Sequence, residues 1–243
     1  MSGSITLENR FGVNKMELIS LKYAIFVIVL LVLYYCFPKK YRWYVLLAGS
    51  MAYYVIICKW YVLFIIFTIC TTYGSTIWID KLLKKQNAIV KSHKEDWDRQ
   101  TRKEYKEKGR KKRVAVMLFA LLCNFGILAF LKYIPYAGEL GLLLPLGISF
   151  YTFQSMGYVM DVYREIVEPE KNFLKVALFV SFFPQIIQGP IAIYDKLAGQ
   201  LYEGHSLRLG NLQKGALLVL WGVMKKLVIA DRAVNIINFV MDK

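Results

Sequence analysis

Histidine is almost missing from this chain of 243 residues: there are two, His93 and His205, standing far apart in polar segments. A zinc site made by the chain alone is not expected, because such sites gather three or four His, Cys or carboxylate ligands at short spacings. Cysteine is also sparse, with Cys36, Cys58, Cys70 and Cys123 all inside apolar runs and no CxxC pair among them. Buried free thiols are the expectation, and no metal or bound cofactor is called for. Acidic residues are few as well, 17 Asp plus Glu against 32 Lys plus Arg, and charged residues make up only 20% of the chain. What fills the sequence is apolar: 57% hydrophobic residues, with 5 Trp, 17 Tyr and 15 Phe. That excludes disorder. The apolar residues come in long blocks divided by charged punctuation, not at helix or strand period, which is the pattern of an all-α polytopic membrane protein.

The net charge of +15 is concentrated. Residues 81–113 hold fourteen Lys or Arg and five Asp or Glu, so this one stretch carries +9. A basic segment beside apolar spans marks a cytoplasmic loop of a membrane protein, where anionic lipid attracts it, and a nucleic-acid partner is excluded. Pairs at i, i+4, among them Asp98 with Arg102, Glu104 with Lys108 and Glu107 with Lys111, predict a solvated helix inside it. The cluster 110–113 either anchors topology or contacts lipid headgroups or a partner.

Five spans are predicted. The first apolar run, 23–37, is followed by Pro38, Lys39, Lys40, Tyr41 and Arg42 where a signal peptide would have small cleavage-site residues, so it reads as a retained anchor that is helical from about Met16. Runs 43–58 and 60–79, divided by Lys59, predict a tight helical hairpin, and runs 114–131 and 140–160 are spans four and five. The division is residues 1–79 with three spans, 80–113 as the basic cytoplasmic loop, and 114–243 as a core of broken and re-entrant helices. Six to eight spanning or re-entrant helices are expected in total. The Lys and Arg count places the basic loop on the cytoplasmic face and the N-terminus and connector 132–141 outside.

Residues 173–193 break the pattern. Pro184 and the pair Gly189-Pro190 interrupt an apolar run that also holds Gln185 and Gln188. Backbone that loses internal hydrogen bonds at membrane depth survives only inside protein or along a wet cavity. The two amides therefore either cross-link helices or line a substrate passage. Asp161 and Arg164 end span five at a spacing that permits an ion pair, or simply mark a charged helix end. Lys225 and Lys226 interrupt the apolar run 216–230 and read as snorkelling cations.

Residues 144–154 (LPLGISFYTFQ, with Tyr151 and Gln154), 158–164 (YVMDVYR), 179–191 (FVSFFPQIIQGPI) and 221–232 (WGVMKKLVIADR) stand in the order seen in the membrane-bound O-acyltransferase family, and the chain resembles its bacterial branch that modifies alginate and teichoic acids. Tyr194 occupies an aromatic place that follows the Gly-Pro-Ile in that family. The resemblance implies a helical membrane enzyme that moves an acyl group, chiefly acetyl, from a cytoplasmic thioester donor (acyl-CoA or an acyl carrier protein) to hydroxyls of an extracellular polysaccharide or cell-wall polymer. It also implies a catalytic His in a segment beyond Lys243, so the chain reads as an N-terminal half that is inactive alone. His93 and His205 do not hold that place. Implied partners are membrane lipid, the C-terminal half or a full-length acyltransferase, an acyl carrier protein, an extracytoplasmic acetylation partner and the polysaccharide acceptor. The alternatives are a non-catalytic membrane binding or regulatory module and, with less support because internal repeats are not evident, a transporter subunit.

Overall fold

The computed structural model describes residues 21–93, 96–133, 145, 147–230 and 232–234, and for Ile187 and Gln188 the backbone alone. The expected start of the first helix near Met16 and nearly all of the connector 132–141 lie outside these residues. Every regular element among the described residues is helical.

Helix α1, Leu21–Cys36, is a run of β-branched, leucine and aromatic residues that stops just before Pro38, whose ring disfavours helix in the residue preceding it. It packs on α2, Arg42–Cys58, through Leu30, which sits where a side chain on Gly49 would project, and through Phe26, 5.2 Å from the Tyr53 ring. A 3-10 turn joins α2 to α3, Val62–Ser92, and Lys59 in that turn has φ 47° and ψ −117°. A non-glycine residue there is strained, and it redirects the chain sharply. The two arms touch sparingly beyond the joint. The later helix α6, Phe173–Ser181, packs against both, so the expected tight hairpin is a splayed one.

Helices α3 and α4, Arg99–Tyr133, form the longest pair, 31 and 35 residues. At about 1.5 Å per residue they run roughly 46 and 52 Å, well beyond a hydrocarbon core of about 30 Å. The basic stretch is therefore the polar end of this pair: α3 continues through Lys91, and α4 runs from Arg99 directly into its apolar half. Trp97 closes the turn, stacked on His93 at 4.9 Å and edge-on to Tyr105 at 5.1 Å.

In the apolar half, α3, α4 and α5, Ile148–Tyr163, share one core. The buried face of α3 carries Thr68, Thr72, Ser75 and Thr76, small residues that let helices approach closely. Asn124 of α4 donates to Thr71 Oγ1 and to the Ala120 carbonyl, both at 2.9 Å. Large apolar side chains cover the outer faces: Leu118, Phe119 and Leu122 of α4 are all exposed, Leu122 at 72%. Water does not tolerate such a surface over a whole helix, whereas lipid does. The stretches Lys39–Ser92 and Arg99–Tyr133 are long and apolar enough to cross a membrane. The cysteines follow the same logic: Cys58 is buried, but Cys36 and Cys70 are exposed and Cys123 is partly so. Four buried thiols is thus corrected to one, because an apolar run in a membrane protein turns many side chains outward.

Helix α6 is the most enclosed element, with Val176 through Ser181 all buried. Its N-cap Asn172 accepts a hydrogen bond from the Leu174 amide at 3.0 Å. It ends at Phe182, and a one-and-a-half-turn helix, α7, Phe183–Gln188, follows with Pro184 in its first turn, where a missing amide costs nothing. Then come α8, Tyr194–Tyr202, and α9, Leu209–Met224, which passes into a π-helical turn, Lys225–Ala230.

Candidate functional site

Two of the sequence blocks that carry the family resemblance meet in the fold. Helix α5 holds 148–163 and α6–α7 hold 179–188, and they are tied by Gln154, whose buried Nε2 donates to the Phe179 carbonyl at 2.7 Å. Gly147, at φ 70°, starts α5 pressed against Ile186 of α7, and a Cβ there would collide with the Ile186 side chain and carbonyl. Tyr158 stacks on Tyr194 at 4.1 Å, and Phe179 meets Tyr194 at 4.9 Å and Tyr158 at 5.8 Å. The Tyr158 hydroxyl accepts from the Glu170 amide at 2.8 Å. Tyr202, at the other end of α8, donates to the Lys175 carbonyl at 2.8 Å, with the Lys175 ammonium 4.9 Å from its ring.

Burial pushes the Tyr194 phenol up to about 12 and the Tyr202 phenol further, so both stay protonated at neutral pH and neither serves as a base. What this region offers is hydrogen-bonding capacity. The hydroxyls of Tyr53, Ser155 and Ser181 and the Oε1 of Gln185 are buried without a hydrogen-bond partner among the described residues, whereas the buried Tyr54 and Tyr151 hydroxyls face each other. They sit on α2, α5, α6 and α7, which pack on one another, and the Tyr54 and Tyr151 rings meet edge to face at 6.2 Å. Unfilled buried polar atoms are costly, so each calls for a partner that its neighbouring side chains do not supply.

The remaining sequence candidates are distributed differently. Gly189 lies so close to α7 that a Cβ would overlap Gln185 Cα, and its amide donates to the Gln185 carbonyl at 3.0 Å. Pro184 is half-buried and Pro190 exposed. The side chain of Gln188 is outside the described residues. Asp161 and Arg164 form no ion pair with each other: the Asp161 carbonyl accepts from the Ile166 amide at 3.0 Å and Arg164 is an exposed helix end. The third block stays apart. Helix α9 buries none of its residues among the described part of the chain, and Lys225 lies 5.3 Å from the neighbouring Trp221 ring, with Lys226 beside it in the π turn.

The histidines are occupied with local structure. His93 Nδ1 lies 3.0 Å from Ser92 Oγ, and His205 Nε2 lies 2.9 Å from the Gln200 carbonyl, both exposed. Sequence reasoning missed the Phe179 carbonyl as the partner of Gln154, and within the cluster 110–113 it did not single out Arg113, which is buried at the polar end of α4 against Gln86 and Glu165. Its only signal was position, as the last cation before the apolar run.

Among the described residues the fold is all-helical, with two stretches long and apolar enough to cross a membrane and with unfilled buried polar atoms on α2, α5, α6 and α7. The chain is 31% identical over 165 residues, 52% of its length, to a peptidoglycan O-acetyltransferase of Helicobacter pylori, and the match covers 31% of that protein. It is 40% identical over 89 residues to a probable alginate O-acetylase AlgI of Pseudomonas syringae (37% of this chain, 17% of the relative). It is 34% identical over 114 residues to the corresponding protein of Azotobacter vinelandii (47% of this chain, 21% of the relative). The resemblance to the bacterial branch of the membrane-bound O-acyltransferase family is thereby shown, and the matched stretches span less than a third of these relatives. No protein-family model and no solved structure matches the chain.

Proposed function

We propose that these helices are part of a bacterial membrane O-acetyltransferase that transfers an acetyl group from a cytoplasmic thioester, acyl-CoA or an acyl carrier protein, to hydroxyls of an extracellular polysaccharide or of peptidoglycan. The supporting observation is the group of unfilled buried polar atoms on α2, α5, α6 and α7. It lies where the two sequence blocks shared with the family pack together, and Ser181 and Gln185 stand in one of those blocks. In this reading the protein is a multi-pass protein of the cytoplasmic membrane with six to eight spanning or re-entrant helices. The basic end of α3 and α4 faces the cytoplasm, and the cluster lines the donor side of a passage. His93 and His205 are exposed and bonded to local groups, so neither is the general base in this reading, and that role belongs to another segment of the enzyme. The exposed apolar surface of α9 packs against the remainder of the acyltransferase core, an extracytoplasmic partner receiving the acyl group beyond it.

The test is O-acetyl ester on a cell-surface polymer in cells expressing the chain alone, the chain with the C-terminal half of an alginate O-acetylase relative, or that half alone. Ester only in the combined case is the expected result. Transfer by the chain alone sinks the assignment of the base to another segment. No transfer in any case, with both polypeptides in the membrane, sinks the acyltransferase reading and favours a non-catalytic binding module, for which the unpartnered face of α9 is the specific observation.

A further inference from the structure

At the polar end of α3 and α4 a cavity of about 500 Å³ opens between the helices, with Lys103, Lys106, Arg110 and Arg113 on its α4 wall and Gln86 on its α3 wall. Glu165, just past the end of α5, closes its inner edge, and Glu107 is the other carboxylate on it. Four cations against two carboxylates leave the cavity net positive.

Arg113 is the part of it that a merely solvated basic face does not explain. It is 9% exposed, its Nη1 donates to Gln86 Oε1 at 2.8 Å, its Nη2 is 3.7 Å from Glu165, and its Nε has no partner. A guanidinium has five donors, and one neutral amide with a long, half-exposed carboxylate contact leaves this one under-satisfied for its burial. The setting is nevertheless held firmly. Gln86 also donates to the Lys106 carbonyl at 3.0 Å, Gly109 leaves the space in which the Gln86 amide sits, and Glu165 is fixed at φ 61°. A strained residue and a glycine that admits a clamp are features of a built site rather than of a frayed helix pair.

Depth identifies the ligand class. Arg113 directly precedes the apolar run 114–131, and Gln86 lies seven residues, about 10 Å, beyond Ile79 at the end of the apolar run on α3. The cavity is thus level with the border between hydrocarbon and water, where phosphate groups lie. We infer that this cavity binds a phosphate ester, with the Lys103, Lys106 and Arg110 side chains as donors to its oxygens and the buried Arg113 guanidinium adding positive charge at its wall. The phosphate comes either from a glycerophospholipid headgroup or from a soluble ester such as that of a thioester donor. The inference stands whether or not the chain takes part in acyl transfer.

The full chain, purified in phosphate-free maltoside micelles, is titrated with inorganic phosphate, dihexanoylphosphatidylglycerol and coenzyme A, and binding is read by thermal shift and native mass spectrometry. Saturable binding of the phospholipid or of coenzyme A is expected. It should weaken at least tenfold in Lys103→Ala/Arg110→Ala and stay within twofold in Lys108→Ala/Lys112→Ala, which removes equal charge from the same helix outside the cavity. All four side chains are exposed, so both variants keep the fold. Saturation by the phospholipid alone supports the site and assigns it to a headgroup; saturation by coenzyme A or inorganic phosphate supports it and assigns it to a soluble phosphate. No saturable binding of any probe, or equal weakening in the two double variants, overturns it.

Discussion

Gln154 Nε2 holds the Phe179 carbonyl at 2.7 Å. Helix α6 ends at Ser181, so the Phe179 carbonyl has no amide four residues on to accept from; the Phe183 amide is turned to Ser50 Oγ at 3.4 Å instead. Gln154 therefore caps α6 from a neighbouring helix, at the point where the chain breaks ahead of Pro184. Gln154→Met keeps the volume and removes the donor, leaving a buried carbonyl unpaired. A loss of about 1–3 kcal/mol is expected, read as a lower midpoint of thermal unfolding in micelles. A midpoint equal to that of the parent would mean that the carbonyl finds water or another donor.

The capping role illustrates what sequence could and could not carry. That Gln154, Gln185 and Tyr194 are unusual is legible from polar or aromatic residues standing at fixed places in apolar segments. That Gln154 serves Phe179, or that Ser50 serves Phe183 from 133 residues away, is not, because such pairings depend on how helices cross and leave no periodic trace. The apolar runs translate directly into helices, since a chain in lipid has few other ways to satisfy its backbone. The joint at Lys59 is legible only as a charge; its left-handed φ and the splaying of the arms follow from α6 packing on both. Within the basic stretch, the i, i+4 pairing predicts helix, and Lys111 with Glu107 at 4.0 Å is one of the expected contacts. The burial of Arg113 was hidden among its exposed neighbours.

Gly147 is required by both conformation and contact. At φ 70° any other residue is strained, and a methyl group would meet the Ile186 side chain and carbonyl. Gly147→Ala should cost about 1–2 kcal/mol for the left-handed backbone, with a further ~1–3 kcal/mol for overpacking unless α7 moves. Ile186→Ala in the same background relieves only the side-chain part of the clash. A double variant less stable than the parent by the full sum of the two single losses would show that the two residues do not interact.

Tyr194 separates ring from hydroxyl. It is 7% exposed and packed on Tyr158 and Phe179, so Tyr194→Ala should destabilise by about 3–5 kcal/mol, while Tyr194→Phe keeps the stack and costs far less. The hydroxyl shows itself at high pH. Its pKa is raised by burial from 10.0 to about 12, so the folded state disfavours the phenolate. The stability contribution is whole below pH ~10 and falls as pH rises from there toward 12. Unfolding midpoints between pH 8 and 11.5 should decline less steeply in Tyr194→Phe than in the parent; identical slopes would remove Tyr194 from the alkaline transition.

Arg42 joins the first and last parts of the described bundle through one planar group. Its Nε donates to the Phe37 carbonyl at 2.9 Å, closing the end of α1, and its Nη1 donates to the His205 carbonyl. The guanidinium also lies 5.3 Å from the Tyr34 ring and 5.2 Å from the Tyr35 ring, and the Tyr34 hydroxyl accepts from the His205 amide at 3.3 Å. A lysine ammonium has the charge but not the flat fork that reaches two carbonyls while facing two rings. Arg42→Lys should therefore act like a loss of contacts rather than a conservative change, costing about 1–2 kcal/mol because the contacts are partly exposed. The local consequence is more telling than the global one. Residues 203–208 are tethered to α1 through Arg42 and Tyr34, so limited proteolysis between Glu203 and Arg208 should speed up several-fold in Arg42→Lys, and in Tyr34→Phe to a smaller degree. Unchanged cleavage there, with a normal unfolding midpoint, would mean that α8 and not Arg42 holds this segment in place.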